Sequence, residues 1–328
     1  MQKYQRWIPF LGFFILSATV TVLLGATVVT GLKTQWIAGI VSLIVLAGAL
    51  ISIFSEGKRV LADKAFNDEL PLIKHVYEFL GVFIGGILAC IISRDLKLGA
   101  VVAASLVGII AYLVVPKYSV PVYCGAFVGM TSNALLFSRS EVAIASAIAG
   151  IIFVISSYVF GGFGGKLGTI AFISTIITSL ILGREFIAAP IYETNEILMM
   201  ILVALIAAPL TYYFNCMRGN GPVLASGFVG LLGGLILPII FPGIGGTLAV
   251  VAICASFAGM SSKARCTGIW VLFITGLFTG VIFVYSAPIF GGAGGKLGTI
   301  AFGSIMATYG FISLFQKKTD GKPLQAKK

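Results

Sequence analysis

Two strings of glycine and lysine carry the residue types most suited to chemistry. Phe160–Phe172 reads FGGFGGKLGTIAF and Phe290–Phe302 reads FGGAGGKLGTIAF, identical at twelve of thirteen positions and offset by 130 residues. Gly161, Gly162, Gly164 and Gly165 in the first string, and Gly291, Gly292, Gly294 and Gly295 in the second, precede Lys166 and Lys296. Glycine is a poor helix former that tolerates positive φ and lets backbone approach a ligand closely. A glycine turn feeding a helix start presents unpaired N–H groups and the positive end of the helix dipole, an arrangement that suits an anion. The lysine adds a full charge. Thr169 or Thr299 adds a hydroxyl one turn along.

Other readings of these strings must be weighed. A nucleotide-binding loop has G-x-x-x-x-G-K-[ST] after a strand. Here Leu167 and Leu297 follow the lysines and no strand pattern precedes them. Alternatively, the strings are tight turns at two membrane faces, with lysines reaching into headgroups and glycines serving close helix packing. That reading requires no ligand, yet near-identity of the motif between copies that otherwise diverge exceeds what packing usually demands.

Further candidates lie close by. Thr131 and Ser132 in Met130-Thr-Ser, and Ser261 and Ser262 in Met260-Ser-Ser, could line a path, or bond back to their own helices. Glu78 is the acid expected inside a span, read either as a coupling acid or, the favoured reading, as an interfacial partner of Lys74. Asp63, Asp68, Asp95 and Asp320 fall in connections or tails, and Glu141, Glu185, Glu193 and Glu196 at span ends. This shortage of buried acids argues against a cation pump. Cys90, Cys124, Cys216, Cys254 and Cys266 show no CxxC spacing and read as small core residues. His75, the sole histidine, cannot build a histidine metal site alone. Neither a metal nor a cofactor is expected, and the parts for an enzyme are missing.

The elements that position the motifs follow from composition. Of 328 residues, 59% are hydrophobic and 10% charged, with a mean hydropathy of +1.08. Too few charges remain to cover a water-facing surface, so an all-α multi-pass membrane protein is expected, with the lipid bilayer as a partner. The net charge of +11 is no sign of nucleic-acid binding, because the basic residues sit in short loops and tails.

Twelve spans are predicted. The first six are Ile8–Gly31, Trp36–Phe54, Leu72–Ser93, Leu98–Pro116, Val120–Phe137 and Val142–Phe160. The others are Leu167–Gly183, Ile197–Tyr213, Val223–Phe241, Gly245–Ser262, Ile269–Phe290 and Leu297–Phe315. The first is too long for a cleavable signal sequence and is read as retained. Trp7, Trp36 and Trp270 sit near span ends, where aromatic belts form. A polar connection, Ser55–Pro71, separates two N-terminal helices from the rest.

With the N-terminus inside, 16 of the 22 lysines and arginines fall on the inner side, including Arg59, Lys166 and Arg265, and 6 on the outer, including Arg139, Arg184 and Lys296. Both termini are therefore expected in the cytoplasm, in a plasma membrane of bacterial type.

The similarity at offset 130 extends upstream, matching Phe127-Val-Gly-Met-Thr-Ser132 with Phe257-Ala-Gly-Met-Ser-Ser262. The chain thus divides into an N-terminal pair (1–71), a first five-helix repeat (72–194), a second (195–316) and a basic tail (317–328). An odd number of spans per repeat makes the second copy cross the membrane in the opposite sense. Inverted repeats with interrupted segments in corresponding places characterise transporters.

This plan is similar to that of the 2-hydroxycarboxylate and glutamate:sodium symporters over about 73–315, with a glycine-rich loop between the fourth and fifth spans of each repeat. The resemblance implies paired re-entrant loops forming a substrate site. The lysine and the short connection depart from that pattern. The expected function is a permease, a secondary transporter whose two loops converge and bring their ammonium groups into one pocket around a small anionic solute. A coupling ion is left open by the sequence. The alternatives are a passive channel for an anion or neutral solute, and a non-transport scaffold or lipid-handling protein.

Overall fold

The computed structural model describes residues 7–62, 72–188, 190 and 192–320. These residues form twelve α-helices and no strand, as a sequence of long apolar runs without alternation requires. The N-terminal pair is α1 (Trp7–Thr34) and α2 (Trp36–Ala62). The next five are α3 (Leu72–Arg94), α4 (Ala100–Val114), α5 (Ser119–Gly129), α6 (Arg139–Ile155) and α7 (Lys166–Ile181). The last five are α8 (Thr194–Tyr212), α9 (Pro222–Ile240), α10 (Gly245–Gly259), α11 (Ile269–Tyr285) and α12 (Lys296–Asp320).

Twelve helices are present, but they are not twelve full spans. Six are long and apolar enough to cross a bilayer: α1, α2, α3, α8 with its following turn, α9 and α12. At 11 residues, α5 is only about 16 Å long. The expected span Val120–Phe137 therefore stops at Gly129, where Met130-Thr131-Ser132 leads into a turn. Its counterpart α10 stops likewise at Gly259. At the C-terminus α12 carries helix through 317–320, inside the expected tail. Residues 321–328, and the segment 63–71 with Asp63, Lys64, Asp68 and Glu69, lie outside the described residues.

The sequence duplication is repeated in the backbone. Helices α6 and α11 begin and end at positions offset by 130. Phe160 and Phe290 have φ of 53° and 50°, Gly162 and Gly292 of 79° and 81°, Gly165 and Gly295 of 80° and 81°. At the centre stand α5 and α10, buried along nearly their whole length, with Tyr123, Phe127 and Phe257 in ring contact. Large apolar side chains such as Phe14, Trp36, Ile44, Phe54, Ile84 and Ile239 are exposed on the outer helices. That is the reverse of a water-soluble surface, where large apolar patches are small and few.

Candidate functional site

Each glycine loop sits between the end of one helix and the start of the next, and its lysine ties the two together. Lys166 Nζ donates to Ser156 O at 2.6 Å and Val159 O at 2.7 Å. Lys296 Nζ donates to Ser286 O at 2.6 Å and Ala287 O at 3.1 Å. Those oxygens lie just past the ends of α6 and α11; Ser156 O and Ser286 O also accept from Val159 N and Ile289 N, so the ammonium adds a second bond there and supplies the bond to Val159 O and Ala287 O. The ammonium therefore satisfies backbone acceptors while standing at the first residue of the following helix.

The two loops meet. A Cβ built on Gly168 would lie 2.5 Å from Gly298 Cα, and one on Gly298 the same distance from Gly168 Cα. A Cβ on Gly165 would lie 2.4 Å from Gly298 O, and one on Gly295 would lie 2.3 Å from Gly168 O. Helices α7 and α12 thus cross within their first turns, backbone against backbone, and only glycine fits there. Their positive dipole ends share one region of the molecule. The backbone N–H groups of Lys166, Leu167, Lys296 and Leu297 meet no acceptor among the described residues.

Each loop also docks on the other half of the chain. Ser262 N donates to Gly162 O at 2.8 Å, and Gly164 N donates to Ser261 Oγ at 2.9 Å. Reciprocally, Ser132 N donates to Gly292 O at 2.9 Å. Three of the candidate lining residues, Ser132, Ser261 and Ser262, are thus docking partners of the loops, while Thr131 Oγ1 donates back to Val128 O at 2.6 Å and Ser261 Oγ to Ala258 O at 2.7 Å. Thr169 Oγ1 reaches Gly165 O at 3.4 Å, whereas the buried Thr299 Oγ1 has no partner among the described residues. Cys124 and Cys254, matched in the duplication, donate to Leu167 O and Leu297 O at 3.3 Å and 3.2 Å.

The expectation that the two lysines share one pocket is not met: each lines its own. A cavity of about 340 Å³ is bounded by Gly161–Gly165, Lys166, Leu167, Ile170, Val120, Phe153 and Met260. A second, of about 320 Å³, is bounded by the offset-130 counterparts Gly291–Gly295, Lys296, Leu297, Ile300, Val250, Phe283 and Met130. The two have no lining residue in common. Lys74 and Glu78 add charge to the first alone, and Glu78 there pairs with Lys74 at 3.7 Å and with His75 Nδ1 at 3.0 Å.

Sequence reasoning missed one group entirely. Glu56, assigned to the polar connection, lies inside α2 with its side chain 2% exposed. It accepts from Arg59 Nη2 at 2.5 Å, Arg265 Nη2 at 3.1 Å and Phe160 N at 2.6 Å. Arg59 also donates to Tyr158 O at 2.9 Å, and Arg265 Nε to Gly161 O at 3.0 Å. At the other loop, Ile187 N donates to Gly291 O at 3.0 Å and Phe186 packs edge-on against Phe290. Nearby charges there pair separately: Arg184 with Glu141 at 2.5 Å, Arg139 with Asp95 at 2.8 Å, and Arg94 with Thr131 O at 3.0 Å. Comparison with protein-family models, curated proteins and solved structures found no match for this chain.

Proposed function

We propose that the protein is an integral membrane permease, a secondary transporter that moves a small anionic solute between the two glycine-loop cavities. The pair of equivalent cavities, each lined by one motif loop and by the methionine of the other half, carries this reading. Every cavity borders unpaired N–H groups at a helix start and a lysine beside them, the chemistry of anion capture. With two ammonium donors already given to carbonyls, the backbone N–H groups make the direct contacts and the lysine supplies net charge.

Three observations support the membrane placement: six long apolar helices, large exposed apolar side chains, and the sorting of charge. Arg59, Lys166 and Arg265, counted to one side by sequence, gather around the first loop, while Arg94, Arg139 and Arg184, counted to the other, gather near the second. In this reading the five-helix units are inverted repeats, the short α5 and α10 lie wholly within protein, and both termini are cytoplasmic. Backbone contact at Gly168 and Gly298 between cavities without shared lining favours alternating access over an open channel.

Purified protein reconstituted into liposomes tests this. Panels of small carboxylates and inorganic anions are offered under opposed solute and ion gradients. Concentrative uptake is expected, and both Lys166→Gln and Lys296→Gln should lower it. Equilibrative flux alone identifies a channel. No flux of any anion refutes the proposal.

A further inference from the structure

The two loops are alike in backbone but unlike in how they are held. Around the first, the carboxylate of Glu56 gathers three donors from three parts of the chain: Arg59 of its own helix, Phe160 N of the loop, and Arg265 from the turn between α10 and α11. Arg265 lies 4.3 Å from the centre of the Phe163 ring and 5.1 Å from that of Tyr309, and bonds Gly161 O. Phe160 has a φ of 53°, unfavourable for a side chain of its size, and Phe13 of α1 stacks on it with ring centres 5.5 Å apart. The second loop has the same strained phenylalanine, Phe290, yet among the described residues no carboxylate and no arginine bind it. The position matching Arg265 at offset 130 is Leu135.

A buried carboxylate surrounded by donors in an apolar setting is costly to assemble and costly to break by halves. Packing alone did not require it, since the second loop takes the same shape without it. We propose that Glu56 and Arg265 form a one-sided latch: positioning residues that hold the Phe160–Gly165 loop against the N-terminal helix pair and the second five-helix unit, and that must separate for the first cavity to open onward. The N-terminal pair is then the gating element of one cavity only. The sense of this rests on the permease reading, in which the cavities are successive stations. The contact itself does not, and its test requires no transported solute.

Ser157 and Ala287 occupy equivalent places in the two cavities and supply the readout. Ser157→Cys and Ala287→Cys are made in the full-length protein, with and without Glu56→Gln, and labelled in liposomes with a small charged maleimide. Labelling of the natural cysteines is subtracted. Glu56→Gln should speed labelling at position 157 by about tenfold or more and leave position 287 unchanged. Unchanged rates at both positions, or equal acceleration at both, overturn the latch. Should Glu56→Gln not accumulate, Arg265→Lys is read by the same ratio, because one ammonium cannot serve Glu56 and Gly161 O as the guanidinium fork does. Absence of anion flux together with acceleration at position 157 alone would count against the permease reading and leave the latch standing.

Discussion

Gly168 and Gly298 touch through their α-carbons, and the crossing of α7 and α12 exists because neither residue has a side chain. A Cβ on either would fall 2.5 Å from the other's Cα, closer than carbon atoms pack. Both glycines belong to the duplicated string, so each copy supplies half of the contact. Gly161, in the same loop, has open space where a Cβ would go and no positive φ.

Gly168→Ala and Gly298→Ala should each destabilise the protein by about 2–3 kcal/mol, the cost of overpacking a site whose neighbours are backbone. Gly161→Ala should fall within roughly 0.5 kcal/mol of wild type. Thermal unfolding midpoints in a single detergent rank the three. Equal midpoints would mean the helices do not cross at this point.

Replacing Lys166 with methionine strands Val159 O and leaves Ser156 O only the N–H of Val159, and an unpaired buried carbonyl costs about 1–3 kcal/mol. Glutamine keeps an amide donor and should lose less. The same order is expected at Lys296 with Ser286 O and Ala287 O. If methionine and glutamine variants melt together, the ammonium groups do not cap the preceding helices.

Four of the five cysteines are buried, and Cys216 is half-buried. In the folded protein one thiol per chain should therefore react with a water-soluble maleimide, and all five after denaturation, as counted by intact-mass spectrometry. Fast modification of Cys124 or Cys254 would contradict their burial at the starts of α7 and α12.

Tyr123, Ser226 and Ser256 form a buried hydroxyl chain, with oxygen separations of 3.0 Å and 2.8 Å, ending on Ile253 O. Tyr123→Phe should cost about 1 kcal/mol, and Ser226→Ala more, because it strands the buried tyrosine hydroxyl. The double variant should cost less than the sum of the two. Strict additivity in that cycle would show that the hydroxyls do not interact.

The sequence made the helices and the loops legible for different reasons. Apolar length marks helices directly, so ten predicted span starts lie within two residues of an observed helix. It does not mark where a helix stops inside protein, which is why α5 was read eight residues too long: Leu135 and Leu136 are as apolar as a span but are buried in a turn. The meeting of the loops followed from their duplication. The direction of the lysines did not, because their acceptors are main-chain carbonyls, which no residue type announces. Glu56 was hidden by its neighbours Lys58 and Arg59, which read as solvated connection, while its partner Arg265 lies 209 residues away.

The exchange of loops between the halves has a consequence for how the chain can be divided. Ser262 closes on Gly162 and Ser132 on Gly292, so each half finishes a turn that belongs to its sibling. Cut within the connection near Glu193, neither fragment retains a complete seat for its own glycine string. The fragments should be orphans when made singly and regain a native bundle when produced together, much as two interlocked hands hold only as a pair.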